Sequence, residues 1–326
     1  MTQAAHSPAP AADGFTRSLL LTATQNRSAW LLGKAGRAAL LFVTGTSVLA
    51  VGLIFVFILR DALPFFQARG LGEALGSTKW YPQAQPGQEQ FGMLALVFGS
   101  LFVTGGALAL AVPVGILTAV VLSDVVPFSV RQAVKPVIEI LAAIPSVAYG
   151  FFAVLVLAPL MQTHLGLSTG ANALNSAIML AVMAIPSIVS VAEDALWAAG
   201  RELREASYAC GATRAETLLK VVIPAAHNGI IAAVVLGMMR AIGETMLVWM
   251  ASGNACQIPA PWWDLTQSVR TMTATIAGEM GETPKDSTHY HALFAVGLML
   301  LAFSLALNLF TECLLHRAKR YSGGSA

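Results

Sequence analysis

Residues 204–224 read REASYACGATRAETLLKVVIP, a charged stretch with good helix formers on both sides of Gly211. Apolar runs long enough to cross a bilayer lie before and after it. Glycine takes positive φ without a steric penalty, so residues 196–224 are expected to form helix, sharp turn at Gly211, helix. Pro224 is expected to mark entry into the next apolar span, since a proline in the first turn of a helix loses no hydrogen bond. The stretch is too polar to lie in lipid and too short to fold as a domain. A rigid two-helix protrusion of this kind suits insertion into another protein.

The surroundings set the class. The chain has 326 residues, 56% hydrophobic and 11% charged, against roughly 25% charged in an ordinary soluble domain. A bilayer core of about 30 Å takes about 20 apolar residues as helix. Six stretches qualify, at about 38–59, 91–122, 133–161, 173–195, 225–251 and 290–315. The expected fold class is therefore all-α, a polytopic membrane protein with six transmembrane helices. The expected divisions are an N-terminal tail over 1–37, a transmembrane domain over 38–316 whose loops include 196–224 and 252–289, and a tail over 317–326. The second and third spans exceed a straight perpendicular crossing, so tilts or kinks are expected. Pro113, Pro136, Pro145 and Pro186 lie in or at the ends of spans, and the carbonyls they free must find partners within the bundle. Frequent Gly and Ala allow close helix packing.

Residues 1–15, MTQAAHSPAPAADGF, read as a disordered tail. The run from Ala38 to Leu59 is longer than a signal-peptide core of about 7–15 residues, so it is expected to remain as an anchor. Positive charge orients the spans. Arg17, Arg27, Lys34, Arg37, Arg131, Lys135, Arg201, Arg204, Arg214, Lys220, Arg317, Lys319 and Arg320 fall on one side; Arg60, Arg69, Lys79, Arg270 and Lys285 fall on the other. This bias puts both termini and residues 196–224 in the cytoplasm. The three cysteines, Cys210, Cys256 and Cys313, are far apart and read as small apolar fillers. His289 and His291 flank Tyr290 without a third ligand, and read as an interfacial cluster rather than a metal site.

Arg240 is left inside the fifth span, within MMRAIGETMLVWM at 238–250. It lies roughly 20 Å past Pro224 by helical rise. A charge at mid-bilayer costs about 2.5–3.5 kcal/mol on insertion scales, so such residues face a partner, a cavity or a water path. Arg240 and Glu244 are four apart and are expected to share one helix face within reach of each other. Two roles are open: an ion pair that holds helices together, and an anion pathway. Guanidinium offers paired donors that match two oxygens of a phosphate-like anion, and a nearby carboxylate keeps that anion from being trapped.

The quoted stretch resembles the EAA loop of ABC-importer permeases. Glu205, Ala206, Gly211, Val221, Ile223 and Pro224 match E-A-A-(x)3-G-(x)9-I-x-L-P at every spacing, with Ser207, Val221 and Ile223 as conservative departures. The resemblance implies a type I importer fold, with these six residues in coupling helices that dock on an ATPase subunit. RAIGETM at 240–246 resembles permeases of the Pst phosphate-importer family, whereas sulfate and molybdate permeases carry an aromatic residue where Thr245 stands. EILAAIPSVAYGFFAV at 139–154 and the segments from 271 to 298 look like its PstC members. By resemblance, Arg240, Glu244 and Thr245 would lie on the substrate path. Thr271, Thr273, Thr275, Glu279 and Glu282 would face a periplasmic binding protein.

The implied assembly pairs this chain with a PstA-type permease, two copies of a PstB-type ATPase and a PstS-type phosphate-binding protein in an inner membrane. ATP and Mg would sit on the ATPase; no G-x-x-x-x-G-K-[ST] sequence occurs here, and no cofactor, metal or nucleic-acid partner is expected. A sulfate, molybdate or tungstate importer is the neighbouring alternative. A membrane enzyme or ion-coupled transporter using Arg240 and Glu244 as a proton relay is the alternative from another class. It lacks a reactive constellation and has no use for the 204–224 pattern.

Overall fold

The structure, a computed structural model, describes residues 23–83 and 88–321, with side chains from 30 to 313 among them. The tail expected over residues 1–15, Arg17, and residues 322–326 lie outside the described residues, as do the side chains of Arg27, Arg317, Lys319 and Arg320. Six helices are long and apolar enough to cross a membrane: Trp30–Gly76, Leu94–Val125, Ser146–Leu165, Ala173–Ala198, Arg214–Ile242 and Thr288–Cys313.

The chain divides into two units, 1–57 and 58–326. The first contains most of helix α1 (Ala23–Gly76), whose described side chains there are all exposed. A lone apolar helix must be covered by lipid or protein, which agrees with a membrane span. The second unit begins in the same helix, which departs from helical φ/ψ at Gly70. There, Phe65 packs with Trp80 and Phe91 of a two-residue antiparallel hairpin, β1 (Trp80–Tyr81) and β2 (Gln90–Phe91).

Helix α2 (Leu94–Val120) ends in a π-helical turn, Val121–Val125. Next come α3 (Phe128–Ala143), α4 (Ser146–Phe152), a π turn at Ala153–Leu157, and α5 (Ala158–Leu165). Helix α6 (Ala173–Ala198) starts under a side-chain cap, Asn172 accepting the Asn175 N–H at 2.9 Å. It is the most enclosed span and packs on α2 and on α9 (Ile223–Ile242). Its Ile188 fills the space left by Gly115 of α2 and Gly237 of α9; a Cβ at Gly237 would come within 2.5 Å of Ile188. Without a hydrophobic force between helices in lipid, such close backbone approach supplies the packing energy. Helices α7 (Arg201–Ala209) and α8 (Arg214–Thr217) stand at one end of this bundle, and the hairpin at the other. The chain closes through α10 (Met246–Ala251), α11 (Met272–Glu279) and α12 (Thr288–Tyr321).

The first span runs over Trp30–Gly76 where 38–59 was expected, and three further boundaries differ from the sequence reading. The third span does not run over 133–161. Helix α3 is separate and amphipathic with no buried side chain, and Ile144 and Pro145 are extended before the span begins at Ser146. A residue before proline avoids helical ψ, which ends α3 there. The fifth span does not begin at 225, because α8, the π turn Leu218–Val222 and α9 form one helix from Arg214. Pro224 sits inside that helix, immediately after the wide turn that absorbs its missing donor. The same span stops at Ile242 instead of continuing to 251. Cys210 and Cys313 are exposed rather than core fillers.

Candidate functional site

Two helix breaks, one after α3 and one after α9, meet at Arg240. Helix α3 ends at Ala143, leaving carbonyls without intrahelical partners. Arg240 Nη2 donates to Ala142 O at 2.9 Å, and the Tyr149 hydroxyl donates to Leu141 O at 2.9 Å. Arg240 Nη1 reaches Ser187 Oγ at 3.4 Å, one residue past Pro186 in α6. The guanidinium lies in the last turn of α9 and against the last turn of α3, two carbonyl ends whose dipoles favour a cation. That arrangement offsets much of the cost of a charge within an apolar span. Among the described residues two of its five N–H donors are used.

Glu244 does not meet Arg240 as the i, i+4 spacing led one to expect. The helix breaks over 243–245, and no ion pair joins the two among the described residues. At an effective dielectric of 20, a closed pair at 4 Å would gain about 4 kcal/mol, so the break holds apart two groups that attract. Glu244 Oε1 instead accepts the Leu247 N–H at 3.2 Å, at the start of α10. Thr245 turns its hydroxyl back to Gly243 O at 3.3 Å. The structure therefore places the three residues on one broken segment but gives their side chains no mutual contact.

A row of hydroxyls lies beside the break. Thr273 donates to Glu244 O at 2.9 Å, Thr271 and Thr273 share a bond at 3.2 Å, and Ser100 accepts the Met272 N–H at 2.9 Å. Gly99 makes this docking possible, since any Cβ there would strike the Arg270 carbonyl. A cavity of about 10 Å³ lined by Ser100, Thr104, Glu244, Thr271 and Thr273 remains, room for about one water and closed to an oxyanion. Thr271, Thr273 and Thr275 are 4%, 7% and 1% exposed. They face the interior and not a partner, which corrects the reading from resemblance. The sequence carried no sign of this docking, which depends on contacts across about 170 residues.

Glu279 is the hub of the hairpin end. Trp80 Nε1 donates to it at 3.0 Å, Arg270 Nη1 at 2.5 Å, and His289 Nε2 shares a bond at 2.8 Å. Burial alone would raise the Glu279 carboxyl, but His289, Trp80 and Arg270 together hold it below its ordinary value. His291 bonds Asp61 O at 2.8 Å, so the two histidines tie separate elements together. Glu282 lines the adjoining cavity of about 740 Å³ with Trp80, Trp249 and Arg270.

At the opposite end the Gly211 turn has the expected form. Gly211, at φ +82°, donates to Tyr208 O at 2.9 Å, and Ala212 donates to Ser207 O at 3.3 Å. These two bonds close α7 as a Schellman motif. Thr213 and Glu216 then form a capping box that starts α8, a T-x-x-E signal present in the sequence and not used there. Ser207 and Thr217 hydrogen-bond at 2.9 Å across the turn, and Arg204 pairs with Asp124 at 2.9 Å, fastening α7 to the bundle. Helix α7 has no buried residue; Glu205, Ala206, Gly211 and Pro224 are exposed, with Val221 and Ile223 half-buried. Behind them Glu193, 1% exposed in α6, takes Arg131 and Lys135 of α3, and Arg131 stacks on Trp197 at 4.1 Å.

Membrane helices interrupted around a part-buried arginine, with a braced, exposed two-helix projection at one end, are the features of a transmembrane transport subunit. Residues 111–320 match the family described as Binding-protein-dependent transport system inner membrane component, and the chain belongs to that family. It is 35% identical over 302 residues to the probable ABC transporter permease protein YqgH of Bacillus subtilis, covering 92% of this chain and 96% of that one. It is 33% identical over 268 residues to the phosphate transport system permease protein PstC of Mesorhizobium japonicum, covering 76% and 80%. Among solved structures, a bacterial alginate ABC transporter superposes with a TM-score of 0.59 at 16% identity, over 91% of this chain and 99% of the other. The MetNI methionine ABC transporter superposes at 0.51 and 18%, over 69% and 94%. At those identities the likeness establishes the fold, that of an ABC-importer permease.

Proposed function

We propose that this chain is the transmembrane permease subunit of an ATP-driven inorganic phosphate importer. The observation that carries this reading is Arg240, which stands between two helix breaks with three donors that take no partner among the described residues. Interrupted helices near the midplane are where transporters hold ions, because irregular backbone is tolerated only at a cavity or pathway. The PstC relative, named for phosphate transport, points to the same anion. Arg240, Glu244 and Thr245 form the substrate path, and the anion's oxygens meet the guanidinium in paired geometry.

Helices α7 and α8 form the contact with a separate ATPase, which holds ATP and Mg. Glu205, Ala206 and Gly211 shape the docking surface, while Val221, Ile223 and Pro224 continue its second helix into the fifth span. A push on α8 is thus transmitted along one rod toward Arg240. The lysine and arginine bias places this end and both termini in the cytoplasm, and the hairpin end outside. A PstA-type permease, two PstB-type ATPases and a PstS-type binding protein complete the assembly.

Arg240→Gln tests the reading. The complex still assembles and binds ATP, and phosphate uptake falls at least 100-fold. Uptake at the parental rate removes Arg240 from the path.

A further inference from the structure

Arg204 lies on α7, the first helix of the projection, and its bonds lead away from α8. The guanidinium forks onto Asp124, with Nε donating to Oδ1 at 2.9 Å and Nη2 to Oδ2 at 3.3 Å. Asp124 stands in the π turn that ends α2. The same guanidinium donates from Nη2 to Leu196 O at 2.9 Å, in the last turn of α6, and from Nη1 to Gly200 O at 2.7 Å, at the bend between α6 and α7. One side chain thus joins α7 to the ends of two spans, with paired donors that fix orientation as well as distance. Both partners of the ion pair are 14% exposed, so solvent screens it less than the surface pairs that contribute little. Helix α7 has no buried residue, so side-chain burial adds little to its hold on the bundle.

The two helices of the projection therefore enter the bundle by different routes. Helix α8 runs without interruption into α9 and so to Arg240. Helix α7 reaches α2 and α6 through Arg204. The routes converge where Arg240 of α9 meets Ser187 of α6 at 3.4 Å. We propose that Arg204 and Asp124 form a second coupling link, which carries the ATPase's displacement of α7 into α2 and α6 while α8 carries it into α9. This rests on the ATPase contact proposed above for α7 and α8. Coupling between distant sites travels through such salt-bridge networks and rigid elements. With both routes intact, the spans around Arg240 move as a set. With the Arg204 link cut, α9 moves against an α6 that does not follow, and the ATPase turns over without moving phosphate. Arg204 and Asp124 are positioning residues, acting on Arg240 through the helices that carry it and its partner. Lysine does not replace Arg204, because an ammonium lacks the planar fork that holds both carboxylate oxygens.

The test uses the assembled complex with its binding protein in sealed vesicles and reads phosphate taken up per ATP hydrolysed. Arg204→Gln and Asp124→Asn keep the parental amount of co-purifying ATPase and most of its ATP turnover, while uptake per ATP falls about tenfold. Asp124→Asn is isosteric and lies on α2, outside the projection, so its effect does not come from a damaged docking surface. Arg204→Lys loses uptake per ATP as well. The double variant is no worse than either single one, since one link is cut only once. A purely structural role lowers the yield of complex, or lowers ATP turnover and uptake together at an unchanged ratio, and that result overturns the proposal. So does a parental ratio in Arg204→Gln and Asp124→Asn, or losses that multiply in the double variant. A parent permease that recovers no ATPase, or takes up phosphate without ATP, overturns the reading on which the link rests.

Discussion

Arg240 is tolerated within a span because it completes hydrogen bonds that helix ends leave open. Ala142 O would otherwise be an unpaired carbonyl in a non-aqueous setting, a state that costs about 1–3 kcal/mol. Of the two roles left open by the sequence, the structural one is supported by two bonds that hold the break, and the anion role is the one proposed for donors that take no partner among the described residues. Glu279 is a second residue whose charge has a readable consequence. Its carboxyl lies below the ordinary value of about 4.3. A depressed carboxylate contributes stability that is present above that ordinary value and lost as pH falls through the folded value. Hydrogen-exchange protection of the hairpin strands, residues 80–83 and 88–91, corrected for the intrinsic rate, should therefore fall as pH drops below about 4.3. Glu279→Gln should exchange faster at neutral pH and lose that acid limb. An acid limb of equal size in the variant would contradict the assignment.

At the scale of elements, the Gly211 turn carries the connection between α7 and the fifth span. Nothing lies within 4 Å of a Cβ built there, so a substitution meets no clash and its cost is purely conformational. Left-handed backbone costs an L-residue about 1–2 kcal/mol, least for Asn and most for β-branched side chains. Gly211→Val should reduce the ATPase recovered with the permease several-fold, and Gly211→Asn should reduce it little. Equal recovery for all three proteins would remove the turn from the docking surface. This turn was legible because glycine, the flanking helix formers and the proline stand at fixed spacing. The break at 243–245 was not, since Ile242, Met246, Leu247 and Val248 keep the run apolar and Gly243 has no proline beside it. The third span was drawn too early for a similar reason. Val134, Val137 and Ile138 merge with the span behind them, and only Pro145 marks the end of α3. Thr271, Thr273 and Thr275 were placed on the outside because their burial depends on Ser100 and on the Glu244 carbonyl, partners that local sequence does not reveal.

At the scale of the molecule, six spans were readable because lipid demands long uncharged helices, and that demand leaves its mark on composition. Their packing was readable only in kind. Gly115, Gly229 and Gly237 announce close approach, but that Ile188 sits between the first and last of them is a fact of the fold. The central claim is that ATP hydrolysis on partner subunits, acting through α7 and α8, moves phosphate past Arg240. Reconstitution of this chain with its partner permease, ATPase and binding protein in sealed vesicles tests it most directly, with uptake measured for phosphate, sulfate and molybdate. ATP-dependent accumulation of phosphate, at least 100-fold above either other anion and abolished by Arg240→Gln, is the result expected. Accumulation of sulfate or molybdate in preference, or phosphate entry that is indifferent to ATP, would contradict it.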